Sequence, residues 1–265
     1  MCNHARGEPE EYAAAAQARN LTGIVVTCHN PTDDGWSPTV RMSMAEFDDY
    51  IVLVERAHRA WAGRIDVRLG IESDYIPGME KWLEKLHGMA ELNHVLGAVH
   101  PHLGDYKERF FDGNLIAFQR TYFEHLAMAA ETGLFDTISH PDLVKNTEPA
   151  EWHVDRAMDF IWPCLDRIAA TGTAMELNTP GFDNVVAEMS PGLSILEEMR
   201  QRRIPVVIGA DAHDPPRSRR QLRRCPRRAE FSRLHRGQPV IESGASGHVH
   251  SSGPRQLAQV SRGPA

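Results

Sequence analysis

The alternation of short apolar runs with longer amphipathic stretches restricts the fold more than any other feature of this chain. Each run is rich in β-branched residues and has the length of a buried strand. The six predicted strands are 21–28, 67–72, 94–100, 135–140, 173–178 and 204–211. The predicted helices are 8–20, 43–62, 79–91, 114–133, 151–171 and 191–203. This alternation predicts βαβ units that share one parallel sheet.

The number of units favours a barrel over an open doubly wound sheet. No GxGxxG motif follows the first strand, and no GxxxxGK[ST] motif occurs in the sequence. A nucleotide-binding fold is therefore disfavoured. Helix starts are marked by Ser43 with Glu46 in a capping box and by Ser190 followed by Pro191.

The strand–helix alternation stops at Asp214, which divides the chain into a predicted barrel (1–214) and a tail (215–265). The tail carries eleven Arg, no Lys and two Glu, whereas the whole chain has a net charge of -7. It shows no sustained helical or strand period, so it is predicted to be a disordered basic tail. Its Arg, Pro, Gly and Ser content also fits a shifted reading frame in a GC-rich gene.

The rest of the composition indicates a cytoplasmic protein. No apolar run has the length that spans a bilayer, and the N-terminus lacks the apolar segment of a secretory signal. The four cysteines show no CxxC pair and are predicted to be reduced thiols. The acidic body disfavours nucleic acid and membrane as partners, and the oligomeric state stays open.

Each predicted strand ends in a residue type that ligates metals. Carboxyl ends of barrel strands meet at one rim, so these side chains are expected to face one volume. They are His29, Glu72, His100, His140, Glu176 with Asn178, and Asp211 with His213, while His4 precedes the first helix. Carboxylates and imidazoles buried together without a cation would repel and be costly to desolvate. The pattern therefore predicts a multinuclear site for divalent metals of the Zn, Mn or Fe type.

Paired metals suit the hydrolysis of phosphate esters, which also needs groups that hold the phosphate. Arg6, Arg41, Lys107 and Lys145 are the predicted cations of the rim, and Asn178 is added as a substrate-binding residue. The predicted partner is a small phosphate monoester. Cys28 is interpreted as a core cysteine rather than a nucleophile.

Seven segments, taken in order, resemble the polymerase-and-histidinol-phosphatase (PHP) family, in its monofunctional histidinol-phosphatase branch. They are CNHARGEPEEY, TCHNP, GIESDY, GAVHP, SHPDLVK, MELNTPG and GADAH, within residues 1–214. The resemblance implies a distorted (β/α)7 TIM-like barrel with up to three metals. It further implies hydrolysis of L-histidinol phosphate to L-histidinol and phosphate, in histidine biosynthesis.

The resemblance also implies roles for individual residues. Glu72 would bridge two metals and Asp211 would complete the first site, and both are predicted to be catalytic. His100 and His140 would complete the second site, and His4, His29 and His213 would form the third.

The sequence departs from the family at both ends. The family begins with a strand ending in His-x-His, which supplies two ligands to the first metal, and this chain is expected to start after that strand. The first site is therefore expected to be depleted of ligands. The Arg-rich tail replaces the helical segment that closes the family's barrel.

Several alternatives remain from the sequence. The chain could be another PHP-type phosphoesterase, an amidohydrolase or an inactive truncated member. An amidohydrolase usually needs a carboxylated Lys or a further His at a central strand end, and Lys145 lies in a predicted loop. The third class is nucleic-acid binding by the tail, where Phe231 is the sole aromatic residue for base stacking.

Overall fold

The computed structural model describes residues 5–183, 185–215 and 240–242. These residues form a parallel sheet of seven strands with helices between them. The strands are β1 (Gly23–Val26), β2 (Asp66–Asp74), β3 (His94–Ala98), β4 (Thr137–Ile138), β5 (Ala174–Asn178), β6 (Val206–Gly209) and β7 (Val240–Glu242). The helices are α1 (Pro9–Gln17), α2 (Met44–Trp61), α3 (Glu80–His87), α4 (Gly104–Phe110), α5 (Leu115–Glu131), α6 (Val154–Thr171) and α7 (Leu193–Gln201).

The order of the strands in the sheet follows their order in the chain. A doubly wound sheet reverses its strand order at a switch point, whereas a barrel adds each unit beside the preceding one. The predicted TIM-like architecture is therefore confirmed. All six strands predicted from the apolar runs are present, and their carboxyl ends meet at one edge.

Two helix starts predicted from the sequence have different outcomes. Ser43 caps α2 as predicted: its Oγ accepts from the Glu46 amide, and the Glu46 carboxylate accepts from the Ser43 amide at 2.7 Å. The prediction at Ser190 is wrong, because α7 begins two residues beyond Pro191 with Gly192 as its N-cap. The Ser190 hydroxyl bonds the Asp142 carboxylate instead.

The predicted disordered tail contains one strand. Residues 240–242 pair with β6 in parallel, with Val240 opposite Val206. The sequence pattern predicted no sustained strand period in the tail and did not identify this short strand. The other tail residues, 216–239 and 243–265, lie outside the described residues, so a domain boundary at 214 stays a prediction. Within the described part of the chain, no helix is long and apolar enough to cross a membrane.

Candidate metal centre

The predicted ligands meet in a cavity of about 260 Å³ at the carboxyl ends of the strands. Glu72 lies two residues before the end of β2, and His29 forms an isolated parallel bridge with it. The site residues that line the cavity are His29, Glu72, His100, His140, Asp211 and His213. The sequence prediction thus named residues that the fold does bring together. His4 lies outside the described residues.

Glu72, His100 and His140 form the most compact group in this cavity. One carboxylate oxygen, Glu72 Oε1, lies 3.4 Å from His100 Nε2 and 3.2 Å from His140 Nε2. All three side chains are buried. Their donor atoms are close enough to share one metal ion. Two imidazole nitrogens and one carboxylate oxygen are a ligand set typical of zinc and similar divalent metals.

Asp74 forms a second compact group with His29 and His100, and the sequence prediction missed it. Asp74 Oδ1 lies 2.7 Å from His100 Nδ1 and 3.9 Å from His29 Nδ1. Asp74 follows Glu72 by two positions in the same strand, so strand alternation places both side chains on one face. That spacing is the signal that could have identified it.

The surroundings of Glu72 and Asp74 keep both carboxylates ionised. Burial alone would raise the pKa of Glu72, but His29 and hydrogen bonds to His100 and His140 outweigh it and keep that pKa well below its usual range. Burial would likewise raise the pKa of Asp74, but Arg41 and His100 lower it. Anionic carboxylates facing imidazoles are the state in which both can ligate a cation.

The imidazoles respond to burial in different ways. Burial lowers the pKa of His29 to about 4, so this ring is neutral at pH 7. Burial would lower the pKa of His100 too, but Asp74 and Glu72 raise it to about 10. His102, which the sequence prediction also missed, lines the cavity as well.

A hydrogen-bonded chain joins the ends of β5 and β6. Asn178 Nδ2 donates to Glu176 Oε2 and to Asp211 Oδ2, each at 3.2 Å. Glu176 Oε2 also accepts from the backbone N–H of His140 at 2.8 Å. Burial and the nearby Asp211 together raise the pKa of Glu176 to about 7, against the opposing effect of His140. Asn178 therefore supports two carboxylates of the rim.

His213 lies beside the N-terminal segment. Its carbonyl oxygen accepts from the backbone N–H of Arg6 at 2.8 Å, and its Nδ1 lies 3.0 Å from the carbonyl oxygen of Asp211. His213 and Asp211 both line the cavity, but the two compact groups found among the described residues do not include them.

Two of the four cations predicted at the rim are buried instead. The Arg41 guanidinium forms an ion pair with Asp74 and donates to Asn30 Oδ1 at 2.8 Å. Lys145 Nζ donates to Asp142 and Glu188. Neither cation lines the cavity, contrary to the predicted placement at the rim, because buried Asp74 holds the charge of Arg41 and buried Asp142, with Glu188, holds that of Lys145.

The other two cations are accessible to solvent. Arg6 is exposed, and Lys107 lies half-buried on α4. Helix α4 itself was missed from the sequence, because it follows the end of β3 within a few residues.

The comparisons with known proteins agree with this geometry. The PHP domain family matches residues 1–180. The chain belongs to the PHP family. A relative of this PHP protein from Deinococcus radiodurans, named "Probable histidinol-phosphatase", is 37% identical over 226 residues, which cover 81% of this chain and 84% of the relative. The histidinol-phosphatase of Bacillus subtilis is 24% identical over 80% of this chain and 90% of its own length.

Solved structures share the fold of this PHP protein. Histidinol phosphate phosphatase from Lactococcus lactis, solved with zinc, L-histidinol and phosphate, superposes with a TM-score of 0.76 at 16% identity, covering 94% of this chain and 95% of its own. A structure from Listeria monocytogenes superposes with a TM-score of 0.73 at 17% identity, covering 87% and 96%. At 16% and 17% identity, these superpositions establish a shared fold.

Proposed function

We propose that this PHP protein is a metal-dependent phosphatase that hydrolyses L-histidinol phosphate to L-histidinol and phosphate. The observation that carries the proposal is the convergence of Glu72, His100 and His140 on one point of a small cavity. Membership of the PHP family and the names of the relatives support the substrate. The same assignment implies that the protein is a cytoplasmic enzyme of histidine biosynthesis.

The residues present fit a bound metal. Glu72, His100 and His140 offer two imidazoles and an ionised carboxylate within reach of one ion, so we propose that they hold the second metal. Asp211 with Glu72 would contribute to a first site. His4, His29 and His213 would form a third. The zinc in the Lactococcus lactis structure favours zinc, and manganese and iron suit the same donors.

Bound divalent ions would supply an activated water and neutralise charge on the phosphate. In the hydrolysis, oxygen from water adds to phosphorus, and the bond from phosphorus to the histidinol oxygen breaks. The chain's own residues prepare the ligands for this reaction. Asp74 is ionised and accepts a hydrogen bond from the Nδ1–H of His100, which leaves His100 Nε2 directed towards Glu72.

The remaining predicted residues have narrower roles. Arg41 neutralises Asp74 from within the fold, so its proposed task is to hold that carboxylate in place. Arg6 and Lys107 remain the proposed cations for the phosphate. Substrate binding by Asn178 stays a prediction, and its two hydrogen bonds support a role in orienting Asp211.

The buried state of Lys145 disfavours the amidohydrolase alternative. A carboxylated lysine would have to reach the metals, whereas Lys145 Nζ donates to Asp142, Glu188 and the Met189 carbonyl oxygen. A PHP-type phosphoesterase with a different phosphate monoester remains the second candidate. A cavity of about 260 Å³ suits a small molecule in either case.

The test is release of inorganic phosphate from L-histidinol phosphate. The protein is stripped with a chelator and refilled separately with Zn²⁺, Mn²⁺ and Fe²⁺. We expect release with at least one metal, none in the stripped protein, and a loss of at least about 100-fold in Glu72→Gln, which removes a metal ligand. Faster release from another monoester in a panel would favour the second candidate. Absence of both metal binding and phosphate release would overturn the proposal.

A further inference from the structure

Lys145 is a fully buried cation five residues beyond His140. Its Nζ donates at 3.0 Å to Asp142 Oδ2, at 3.1 Å to Glu188 Oε1 and at 2.7 Å to the Met189 carbonyl oxygen. An ammonium group has three N–H donors, so these bonds use all of them. Lys145 therefore has no donor left for a substrate phosphate.

Asp142 connects this cation to the loop that precedes α7. The Asp142 carboxylate accepts from the Gly192 backbone N–H at 2.7 Å and from the Ser190 hydroxyl. Asp142 is fully buried and lies two residues after His140. The loop from Glu188 to Gly192 is thus fixed against the segment that carries His140.

Ser190 connects Asp142 to the carboxyl ends of β5 and β6. Its backbone pairs with that of Asn178 through two hydrogen bonds of 2.7 and 3.1 Å. The Asn178 side chain bonds Glu176 and Asp211, and Glu176 accepts from the His140 backbone N–H. The contacts therefore form a closed hydrogen-bonded circuit that starts and ends at His140.

Two proposed ligands in this circuit have backbones that need external support. His140 has φ +28° and Asp211 has φ +38°, both in the left-handed region that residues other than glycine rarely adopt. Such conformations are strained and persist where surrounding contacts enforce them. The circuit bonds the His140 backbone N–H through Glu176 and the Asp211 side chain through Asn178, and Tyr122 Oη adds a hydrogen bond to the His140 carbonyl oxygen.

We propose that Lys145 is a positioning residue, which through Asp142 and Ser190 fixes His140 and Asp211 in the geometry that binds metal. The proposal rests on the proposed function, since it concerns the same metal centre. It replaces phosphate binding as the role of this lysine. A buried ion pair is a weak source of net stability, so its effect is expected to appear mainly in the metal site.

The test uses Co²⁺ as a spectroscopic probe of ligand geometry. Metal-depleted wild type, Lys145→Met and Ser190→Ala are titrated with Co²⁺ and followed by visible absorption. We expect Co²⁺ affinity to fall by about 10–100-fold in both variants, as in other proteins that lose the partner of a metal ligand. The absorption spectrum should change as well. In metal-depleted Lys145→Met, the His140 amide should exchange with deuterium faster than in wild type.

Arg202→Met is the matched control. Arg202 is also mostly buried, with 18% of its side chain exposed, and pairs with Asp166 at 2.7 Å, but it lies outside the circuit. This variant should lose stability and keep wild-type Co²⁺ affinity and spectrum. If Lys145→Met behaves in the same way as Arg202→Met, the lysine is merely structural and the proposal fails.

Ser190→Ala keeps the test decisive if Lys145→Met does not fold, because it leaves the lysine–aspartate pair intact. Unchanged Co²⁺ binding in Ser190→Ala would overturn the proposal. Wild-type protein that binds no Co²⁺ would overturn the proposed function and the positioning role together. Normal binding in every variant would overturn the positioning role alone.

Discussion

Substitution of Arg41 by Met tests the reassignment of this cation from the rim to the interior. Only 1% of the Arg41 side chain and 3% of the Asp74 side chain are exposed, so water screens their ion pair very little. Removal of one partner from a buried pair costs about 3–5 kcal/mol, because the other charge is left uncompensated. Asp74 would keep its hydrogen bond to His100, so we expect the loss of stability to be at the lower end of this range, about 3 kcal/mol.

The assay is urea denaturation of the metal-depleted protein at pH 7, with the free energy of unfolding taken from the midpoint and slope. A loss of about 3 kcal/mol corresponds to a fall in Tm of roughly 6–12 °C for a domain of this size. Arg68→Met is the control: Arg68 pairs with Asp66, and their side chains are 46% and 47% exposed, so the change should cost under about 1 kcal/mol.

A double-mutant cycle isolates the pair. Asp74→Asn added to Arg41→Met should recover part of the lost stability, because the uncompensated charge disappears. If Arg41→Met leaves stability within about 1 kcal/mol of wild type but raises KM strongly, then Arg41 contacts substrate and the argument from burial is refuted.

Two further predictions concern the carboxylates and imidazoles of the cavity. A methyl group at Gly209 would overlap Glu176 Oε1, so Gly209→Ala should lower both stability and Co²⁺ affinity, whereas Gly104→Ala, with open space around it, should change neither by a measurable amount. In metal-depleted protein the raised pKa of His100, about 10 against 6.5, stabilises the fold below pH 6.5. This stabilisation is lost as pH rises through 10, so the free energy of unfolding should fall by up to ~4 kcal/mol between pH 7 and 10. Metal-loaded protein should show no such fall, because an imidazole that ligates a metal is already neutral and loses no proton between pH 7 and 10. If the free energy of unfolding of the metal-depleted protein did not change with pH over this range, the ion pairs of His100 with Asp74 and Glu72 would be contradicted.

The architecture and the set of strand-end ligands could be predicted from sequence, because both depend on local patterns. Apolar runs identify parallel strands, and parallel strands place their last residues at one edge. The confirmed order of the sheet shows that this reasoning was sufficient for the fold. It failed at β7, where three residues within an otherwise patternless tail pair with β6.

The contacts made by charged side chains could not be predicted in the same way. Arg41 pairs with a residue 33 positions away, and Lys145 reaches Glu188 across 43 positions. Nothing in the local sequence distinguishes a buried cation from one at the surface. Ser190 resembles an N-cap locally, yet its hydroxyl bonds Asp142, 48 positions earlier.

The most direct test of the central claim joins metal content to catalysis in one titration. Metal-depleted protein is titrated with Zn²⁺ while bound zinc and phosphate release from L-histidinol phosphate are measured at each step. The account predicts that release rises in proportion to the zinc held by wild type, and that His140→Ala loses both bound zinc and release. Phosphate release that continues unchanged in the metal-depleted protein, or in His140→Ala without bound zinc, would contradict it.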